Sequence, residues 1–232
     1  LKERGLTVRR RKRRPVARYA EPLAHCDAPN RVWCADFKGW FLTGDQRRCD
    51  PLTITDGFSR YLLRCQALAH PTYDAVRPLF EASFREYGLP VALRTDNGTP
   101  FAATRGLGLS RLSVWWIKLG ITPERIEPGK PQQNGRHERM HRTLKAETLR
   151  PPAANLRQQQ QRFDRFQRDY NEQRPHQALG HHTPASCYAA SARRYPKRLT
   201  SPDYPREWIV RRVYHKGSFY WNHRLLFLSD AL

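Results

Sequence analysis

Residues Pro128 to Leu149 read PGKPQQNGRHERMHRTLKAETL, and the rest of the chain can be understood from this stretch. It opens as a Pro- and Gly-rich loop and continues as a predicted helix. With about 100° of rotation per residue, Met140 and Leu144 fall on one side and are expected to pack inward. The opposite face carries a single carboxylate among hydrogen-bonding and cationic groups: Asn134, Glu138, His141, Arg142 and Lys145. A solvated helix would show the same pattern, so this helix alone assigns no function.

The composition indicates a polyanion as partner. The 232 residues include 42 Lys and Arg against 21 Asp and Glu, which gives a formal net charge of +21. Such an excess is the electrostatic footprint of a nucleic-acid-binding protein. A membrane is disfavoured as a partner, because no predicted helix is basic on one face and richly apolar on the other. No apolar run approaches bilayer length.

The cysteines predict the redox environment of the protein, and the two ends of the chain predict that it is a fragment. Five cysteines in no C-x-x-C arrangement predict reduced thiols in a cytosolic protein, not a disulfide framework. His181, His182 and Cys187 lack the spacing of a known structural zinc site. Because the chain begins without Met and stops directly after a strand-like run, we expect a fragment of a longer protein.

The pattern along the chain predicts an α/β fold with a mixed sheet, in which early strands are followed by alternating helices and strands. The predicted elements are a strand at Val32–Phe41, hairpin strands at Leu52–Thr55 and Tyr61–Ala67, a helix at Thr72–Tyr87 ended by Gly88, a strand at Val91–Thr95, a helix at Leu109–Leu119, a strand at Ile121–Ile126 and a helix at Leu156–Asn171. Beyond a Pro- and His-rich connector, Trp208–Tyr214 and Ser218–Leu228 are predicted strands of a small, truncated β module.

Two aspartates lie where such a sheet could bring them near Glu138. Asp36 is in the middle of a predicted strand, where Asp is a poor residue and needs a partner. Asp96 follows the carboxyl end of a short apolar strand, where α/β sheets commonly place ligands. An Asx-turn into the following Asn-Gly explains Asp96 equally well in isolation. Asp56 is rejected as a site residue, because Asp-Gly between two strands is ordinary hairpin chemistry.

Three converging carboxylates would repel one another unless cations held them together. All-oxygen ligands select hard ions such as Mg²⁺ or Mn²⁺ over zinc. Two such ions roughly 3.5–4 Å apart can activate a nucleophile and stabilise the leaving oxygen of a phosphodiester displacement. The positive charge of the chain and these carboxylates therefore both indicate metal-dependent chemistry on the phosphodiesters of a nucleic acid.

Four segments, in order, resemble the integrase catalytic core of bacterial insertion-sequence transposases, which belong to the DDE superfamily shared with retroviral integrases. They are WCADFK around Asp36, TDGFSRY around Asp56, RTDNGTPF around Asp96 and PGKPQQNGRHERMHRTLK around Glu138. The segment YNEQRPHQALGHHTP, Tyr170 to Pro184, resembles the one that follows the core in that family. The resemblance implies a ribonuclease-H-like fold, with helices flanking the mixed sheet.

The resemblance also implies residue roles. Asp36, Asp96 and Glu138 would form the catalytic, metal-binding triad for Mg²⁺ or Mn²⁺, with two ions expected. Asn134, His141 and Lys145 would lie beside the DNA end. Arg142 on the same face and the basic block near the start are further predicted DNA contacts. That block consists of Arg9, Arg10, Arg11, Lys12, Arg13 and Arg14.

The predicted organisation has five parts. They are residues 1–30, a basic arm with the end of a helix-turn-helix module; 31–150, the integrase catalytic core; 151–190, a helical extension of the core; 191–205, a linker; and 206–232, part of a C-terminal β module. The interval from Asp96 to Glu138 is several residues longer than is usual in the family. We assign the excess to a surface loop near Ala103 to Ser110.

The resulting functional hypothesis is a bacterial, cytoplasmic DNA transposase or integrase. It would nick double-stranded DNA at element ends and transfer the freed 3′-hydroxyls into target DNA, acting as at least a dimer. Two alternatives share the fold. One is a catalytically inactive or domesticated DNA-binding relic, and the other is a ribonuclease-H-like nuclease that cuts without joining.

Overall fold

The computed structural model describes residues 26–103, 108–126, 135–199, 204–214, 217–229 and 231. The predicted DNA contacts Asn134 and Arg9 to Arg14 lie outside these residues. The strands are β1 (Val32–Phe37), β2 (Phe41–Leu42), β3 (Arg48–Asp56), β4 (Leu62–Leu68), β5 (Ala92–Thr95), β6 (Thr122–Arg125), β7 (Ser218–Trp221) and β8 (Arg224–Phe227). The α-helices are α1 (Tyr73–Tyr87), α2 (Arg111–Lys118), α3 (Gly135–Thr148), α4 (Leu156–Glu172) and α5 (Pro184–Cys187), and a 3₁₀ turn spans Gln177–Leu179.

The first six strands form one mixed sheet, as the sequence predicted. Strand β1 is antiparallel to β3 and parallel to β5, and β5 is parallel to β6. The other edge of β3 pairs with β4, while the short β2 continues the line of β1 along the beginning of β3. The predicted hairpin around Asp56-Gly57 is confirmed, with Thr55 opposite Leu62. Strand β3 begins earlier than predicted, since Asp50 and Pro51 pair within it despite their low strand propensity.

Helix α1 has the predicted termini. The Thr72 side chain accepts a hydrogen bond from the amide of Ala75, and Gly88 follows the helix at φ 80°, a conformation that suits glycine. The helix buries Phe80 and Phe84 against one face of the sheet. Helix α2 packs on the same side, so the aromatic side chains of both helices form a core there.

Helices α3 and α4 cover the other face of the sheet. Met140 and Leu144 are buried as predicted, and they pack with Phe163 and Phe166 of α4. Asn171 fixes α4 to the sheet, because its side chain bonds both the amide and the carbonyl of Leu62, at 2.8 and 3.0 Å. The sheet therefore has helices on both faces, which is the predicted α/β architecture.

Two strand predictions need correction. The predicted strand Val32–Phe41 is interrupted after Phe37 near Gly39 (φ 87°), and Phe41 then pairs with Cys49 further along the same edge of β3. The prediction of a strand at Trp208–Tyr214 is wrong, since the residues described there form only an isolated bridge from Tyr214 to Ser218. Their apolar alternation has no neighbouring strand in this part of the structure to pair with.

The segment expected to be a linker begins with residues bound to the core. The Ser191 amide donates to the carbonyl of Tyr87 at 2.8 Å, and the Arg193 guanidinium donates to the carbonyl of Gly120 at 2.7 Å. Near the end of the chain, β7 and β8 form an antiparallel hairpin. Within the described part of the chain, no helix is both long and apolar enough to cross a membrane.

Candidate active site

Two predicted site residues follow the point where the parallel strands β1 and β5 stop pairing with each other. The last paired residues of the parallel strands β1 and β5 are Ala35 and Thr95, and the next residues are Asp36 and Asp96. In-register neighbours on adjacent strands point to the same face and lie about 4.8 Å apart at the backbone. Both aspartates are partly exposed. The carboxyl ends of two parallel strands therefore present two carboxylates at one edge.

Helix α3 is anchored next to Asp36 by a threonine and two histidines. Thr53 is the register partner of Asp36 on β3. Its hydroxyl lies 2.6 Å from Nε2 of His137 and 2.7 Å from Nε2 of His141. Since Glu138 lies between these two histidines on α3, the anchor brings its helical turn beside the strand that carries Asp36. Glu138 itself is exposed.

Both imidazoles in this anchor are neutral at physiological pH. Burial lowers the pKa of His137 to about 3, and burial with the nearby His137 and Lys38 lowers the pKa of His141 to about 2. Each neutral ring can donate Nε2–H to the Thr53 hydroxyl, which donates its own hydrogen to the Asp36 carbonyl oxygen at 3.2 Å. The 3.9 Å approach of His141 Nδ1 to the Asp36 carboxylate is therefore not an ion pair.

Two lysines bring positive charge to the same place. The pKa of Lys38 is lowered by burial and by the charge of Lys145, while the charge of Asp36 acts in the opposite direction. Lys145 is exposed on α3, two turns beyond Glu138. The carboxylate of Asp36 thus lies in a partly desolvated setting with ammonium groups near it.

Asp96 makes the local turn that the sequence allowed as an alternative. Its Oδ1 accepts the amide of Gly98 at 3.2 Å, which is the bond of an Asx-turn. The next side chain, Asn97, donates to the carbonyl of Ile126 at 2.8 Å and ties the turn to the end of β6. Beyond it, Ala103 and Gly108 bond across the base of the predicted extra loop, whose tip lies outside the described residues.

Among the described residues, the group of possible metal ligands that lies within 4.8 Å of one another consists of Asp36, His137 and His141. Asp96 and Glu138 are not part of that group. Three residues of this site were not predicted from the sequence: His137, Thr53 and Lys38. A histidine four residues before His141 shares its helix face, and that spacing was the available signal for His137.

The predicted DNA contacts on α3 differ in their exposure to solvent. Arg142 and Lys145 are exposed, as their positions on the polar face predicted. His141 was expected on that face, but its residue is 6% exposed and bonds Thr53. Its angular position lies at the border of the polar face, and strand β3 covers that border.

The mixed sheet with helices on both faces defines this chain as a ribonuclease-H-like α/β protein. Two family models match it, both described as integrase core domain, one over residues 27–131 and the other over residues 119–184. Together they cover β1 to the beginning of α5. The chain belongs to the integrase core domain family, in the retroviral integrase superfamily.

Two relatives come from bacterial insertion elements. An uncharacterized 31.7 kDa protein of insertion element IS407 from Burkholderia multivorans is 34% identical over 190 residues, covering 81% of this chain and 66% of the relative. An uncharacterized 39.2 kDa protein of insertion element IS476 from Xanthomonas euvesicatoria is 35% identical over 190 residues, covering 80% of this chain and 51% of the relative. The chain thus spans slightly under two thirds of one relative and about half of the other.

Among solved structures, the HTLV-2 integrase catalytic core domain in complex with magnesium is similar, with a TM-score of 0.53 and 17% sequence identity. The match covers 70% of this chain and 99% of that domain. At this level of identity the likeness establishes the fold.

Proposed function

We propose that this chain is the catalytic part of a DNA transposase or integrase that nicks DNA at element ends and transfers the 3′-hydroxyls into target DNA. The observation that carries the proposal is the junction of three elements. Asp36 and Asp96 come directly after the last residues that pair between the parallel strands β1 and β5. Thr53, the register partner of Asp36, bonds the histidines on both sides of Glu138. Membership of the integrase core domain family supports the same activity.

The side chains at this edge fit Mg²⁺ or Mn²⁺. Asp36, Asp96 and Glu138 offer carboxylate oxygens, which hard divalent cations prefer, and each has some solvent exposure through which an ion could enter. The two buried imidazoles are neutral, so they add no positive charge that would oppose a cation. Two bound ions would activate water or a 3′-hydroxyl and stabilise the leaving oxygen of the phosphodiester.

The remaining roles belong to the chain itself. The contacts of Thr53 with His137 and His141 fix the turn of α3 that carries Glu138 against β3. Exposed Arg142 and Lys145 lie on the helix that carries Glu138 and would position DNA phosphates there. The mechanism needs no covalent protein–DNA intermediate, so no Ser or Tyr nucleophile is assigned. Joining two ends requires at least a dimer.

The test uses a branched DNA that mimics a strand-transfer product. The wild type is compared with Glu138→Gln in Mg²⁺ and in Mn²⁺, and Glu86→Gln on α1 serves as a matched control for loss of an exposed helical carboxylate. We expect metal-dependent resealing by the wild type and the control but not by Glu138→Gln. Binding without resealing in all three proteins would favour the inactive relic. Cleavage without joining would favour a nuclease.

A further inference from the structure

A pocket of about 420 Å³ opens on a flank of α3 that does not carry Glu138. Arg139 of α3 contributes to its lining, and so does Thr143, one helical turn further on. At about 100° per residue, these side chains point at least 100° away from Glu138 around the helix axis. The pocket is therefore a different site from the acidic edge of the sheet.

Three arginines from three separate segments line this pocket. Arg60 comes from the turn between β3 and β4, Arg139 from α3, and Arg174 from the segment after α4. All three charges act on Tyr170, which lies at the pocket wall. Burial raises the pKa of Tyr170 to about 12, and the three arginines oppose this rise. Three guanidinium groups that converge from distant parts of a sequence form a positively charged cavity, not a general basic surface.

The balance of charge in the pocket is positive. Arg174 is paired with Glu147 Oε1 at 2.6 Å, and among the residues that line the pocket none is acidic. His176 also lines the pocket, and burial together with the nearby Arg60 and Arg174 lowers its pKa. The groups that the pocket offers to an anion are therefore the guanidinium N–H groups.

Local structure accounts for only part of this arginine cluster. The φ of 65° at Arg60 belongs to the hairpin turn between β3 and β4, where a left-handed residue is ordinary. Attraction to the carboxyl end of α4 would account for a cation at Arg174. It does not account for Arg139, which belongs to another helix.

We propose that this arginine pocket binds a phosphate group and that its source is a phosphodiester of the DNA backbone. Guanidinium groups match phosphate oxygens in geometry and charge. The inference rests on the proposed function only in taking DNA as the source of the phosphate. A strand held at the acidic edge would then have a second contact on another flank of the same helix.

The first experiment measures duplex DNA binding by fluorescence anisotropy over a series of salt concentrations. The variants are Arg139→Gln and Arg174→Gln, and the matched control is Arg168→Gln, an exposed arginine of α4 outside the pocket. The slope of log affinity against log salt is negative, and one lost phosphate contact should make it shallower by about 0.9. We expect this change in the pocket variants and not in the control. Equal slopes in all proteins, or the same loss in the control, would overturn the assignment.

A second experiment distinguishes the source of the phosphate. Inorganic phosphate is titrated at constant ionic strength while the thermal midpoint is followed, for the wild type and for Arg139→Gln. We expect phosphate to raise the midpoint of the wild type alone. Stabilisation by phosphate together with an unchanged DNA salt slope would mean that the pocket takes the free ion, which overturns the DNA assignment.

Failure of this proposal is separable from failure of the proposed function. If resealing depends on Glu138 but Arg139→Gln binds DNA with the wild-type salt slope, the pocket assignment falls alone. If the slope changes but no protein reseals the branched DNA, the pocket assignment stands and the catalytic proposal falls.

Discussion

The antiparallel pair of β1 and β3 has an aspartate at each end, and the two ends differ in what surrounds the carboxylate. At one end Asp56, paired with Trp33, is fully buried and accepts from the Asn30 amide at 2.7 Å and from the amide and hydroxyl of Ser59 at 2.8 and 2.7 Å. At the other end, the side chain of Asp36 is 17% exposed. His141 of α3 and Lys38, which directly follows β1, lie near its carboxylate.

This difference separates a structural carboxylate from a candidate functional one. The donors to Asp56 come from its own hairpin and from the turn before β1, so the carboxylate stabilises the local chain. The neighbours of Asp36 include His141 from a distant helix, and its side chain is partly exposed to solvent. Partial exposure at a strand end, next to neutral imidazoles, is a setting that a cation can enter.

The largest expected effect is on catalysis at the Asp36 end. Asp36→Asn should lower resealing of the branched DNA by about 10²–10³-fold, because an amide is a weaker metal ligand and several kcal/mol of charge stabilisation would be lost. The free energy of unfolding should change by less than about 0.5 kcal/mol. Resealing assays and urea denaturation on the same preparation measure both quantities. Wild-type resealing by this variant would remove Asp36 from the triad.

The opposite pattern is expected at the Asp56 end. Asp56→Ala leaves the amides of Asn30 and Ser59 without their acceptor, so we expect it to lower the free energy of unfolding by about 2–4 kcal/mol. Ser59→Ala removes only the hydroxyl bond and should cost about 1 kcal/mol. Urea denaturation measures both changes. If Asp56→Ala were as stable as the wild type, the hydrogen bonds at this end would contribute nothing to folding.

A smaller effect is expected at Thr53, which connects the sheet to α3 beside Asp36. Thr53→Val keeps the shape but removes the hydroxyl from His137 and His141, so we expect a loss of about 1–3 kcal/mol in unfolding free energy. Resealing by the folded fraction should also fall, since Glu138 is less well positioned. Thr53→Ser keeps the hydroxyl, so this variant should reseal the branched DNA as well as the wild type does. A loss of stability without any change in resealing would limit Thr53 to a structural role.

The sequence predicted the fold and its acidic candidates because their signals are local. Strand alternation, the Asp-Gly turn and the apolar stripe of α3 each extend over a few residues, and the mixed sheet followed from their order. The Thr53 contacts could not be predicted in the same way, since the hydroxyl meets His137 and His141, which are 84 and 88 residues away. A helical projection also could not show that β3 covers His141.

The smallest expected effect is a pH dependence of stability at Asp56. Burial raises the pKa of its carboxyl, and the hydrogen bonds from Ser59 and Asn30 oppose the rise only in part. The folded protein therefore holds this proton more tightly than the unfolded chain, whose Asp pKa is about 3.9. The resulting stabilisation is complete below that pH and is lost as the pH rises through the folded-state pKa.

Asp56→Asn isolates this contribution, because an amide resembles the neutral acid and cannot ionise. We expect the unfolding free energy of the wild type, minus that of Asp56→Asn, to fall as the pH rises above about 4, by at most about 1.4 kcal/mol per pH unit. Urea denaturation of both proteins between acidic and neutral pH measures this difference. A difference that grows with pH would mean that the hydrogen bonds from Ser59 and Asn30 outweigh burial. The carboxylate at this end of the ladder would then be a stronger structural anchor than its burial suggests, and the contrast with Asp36 would become sharper.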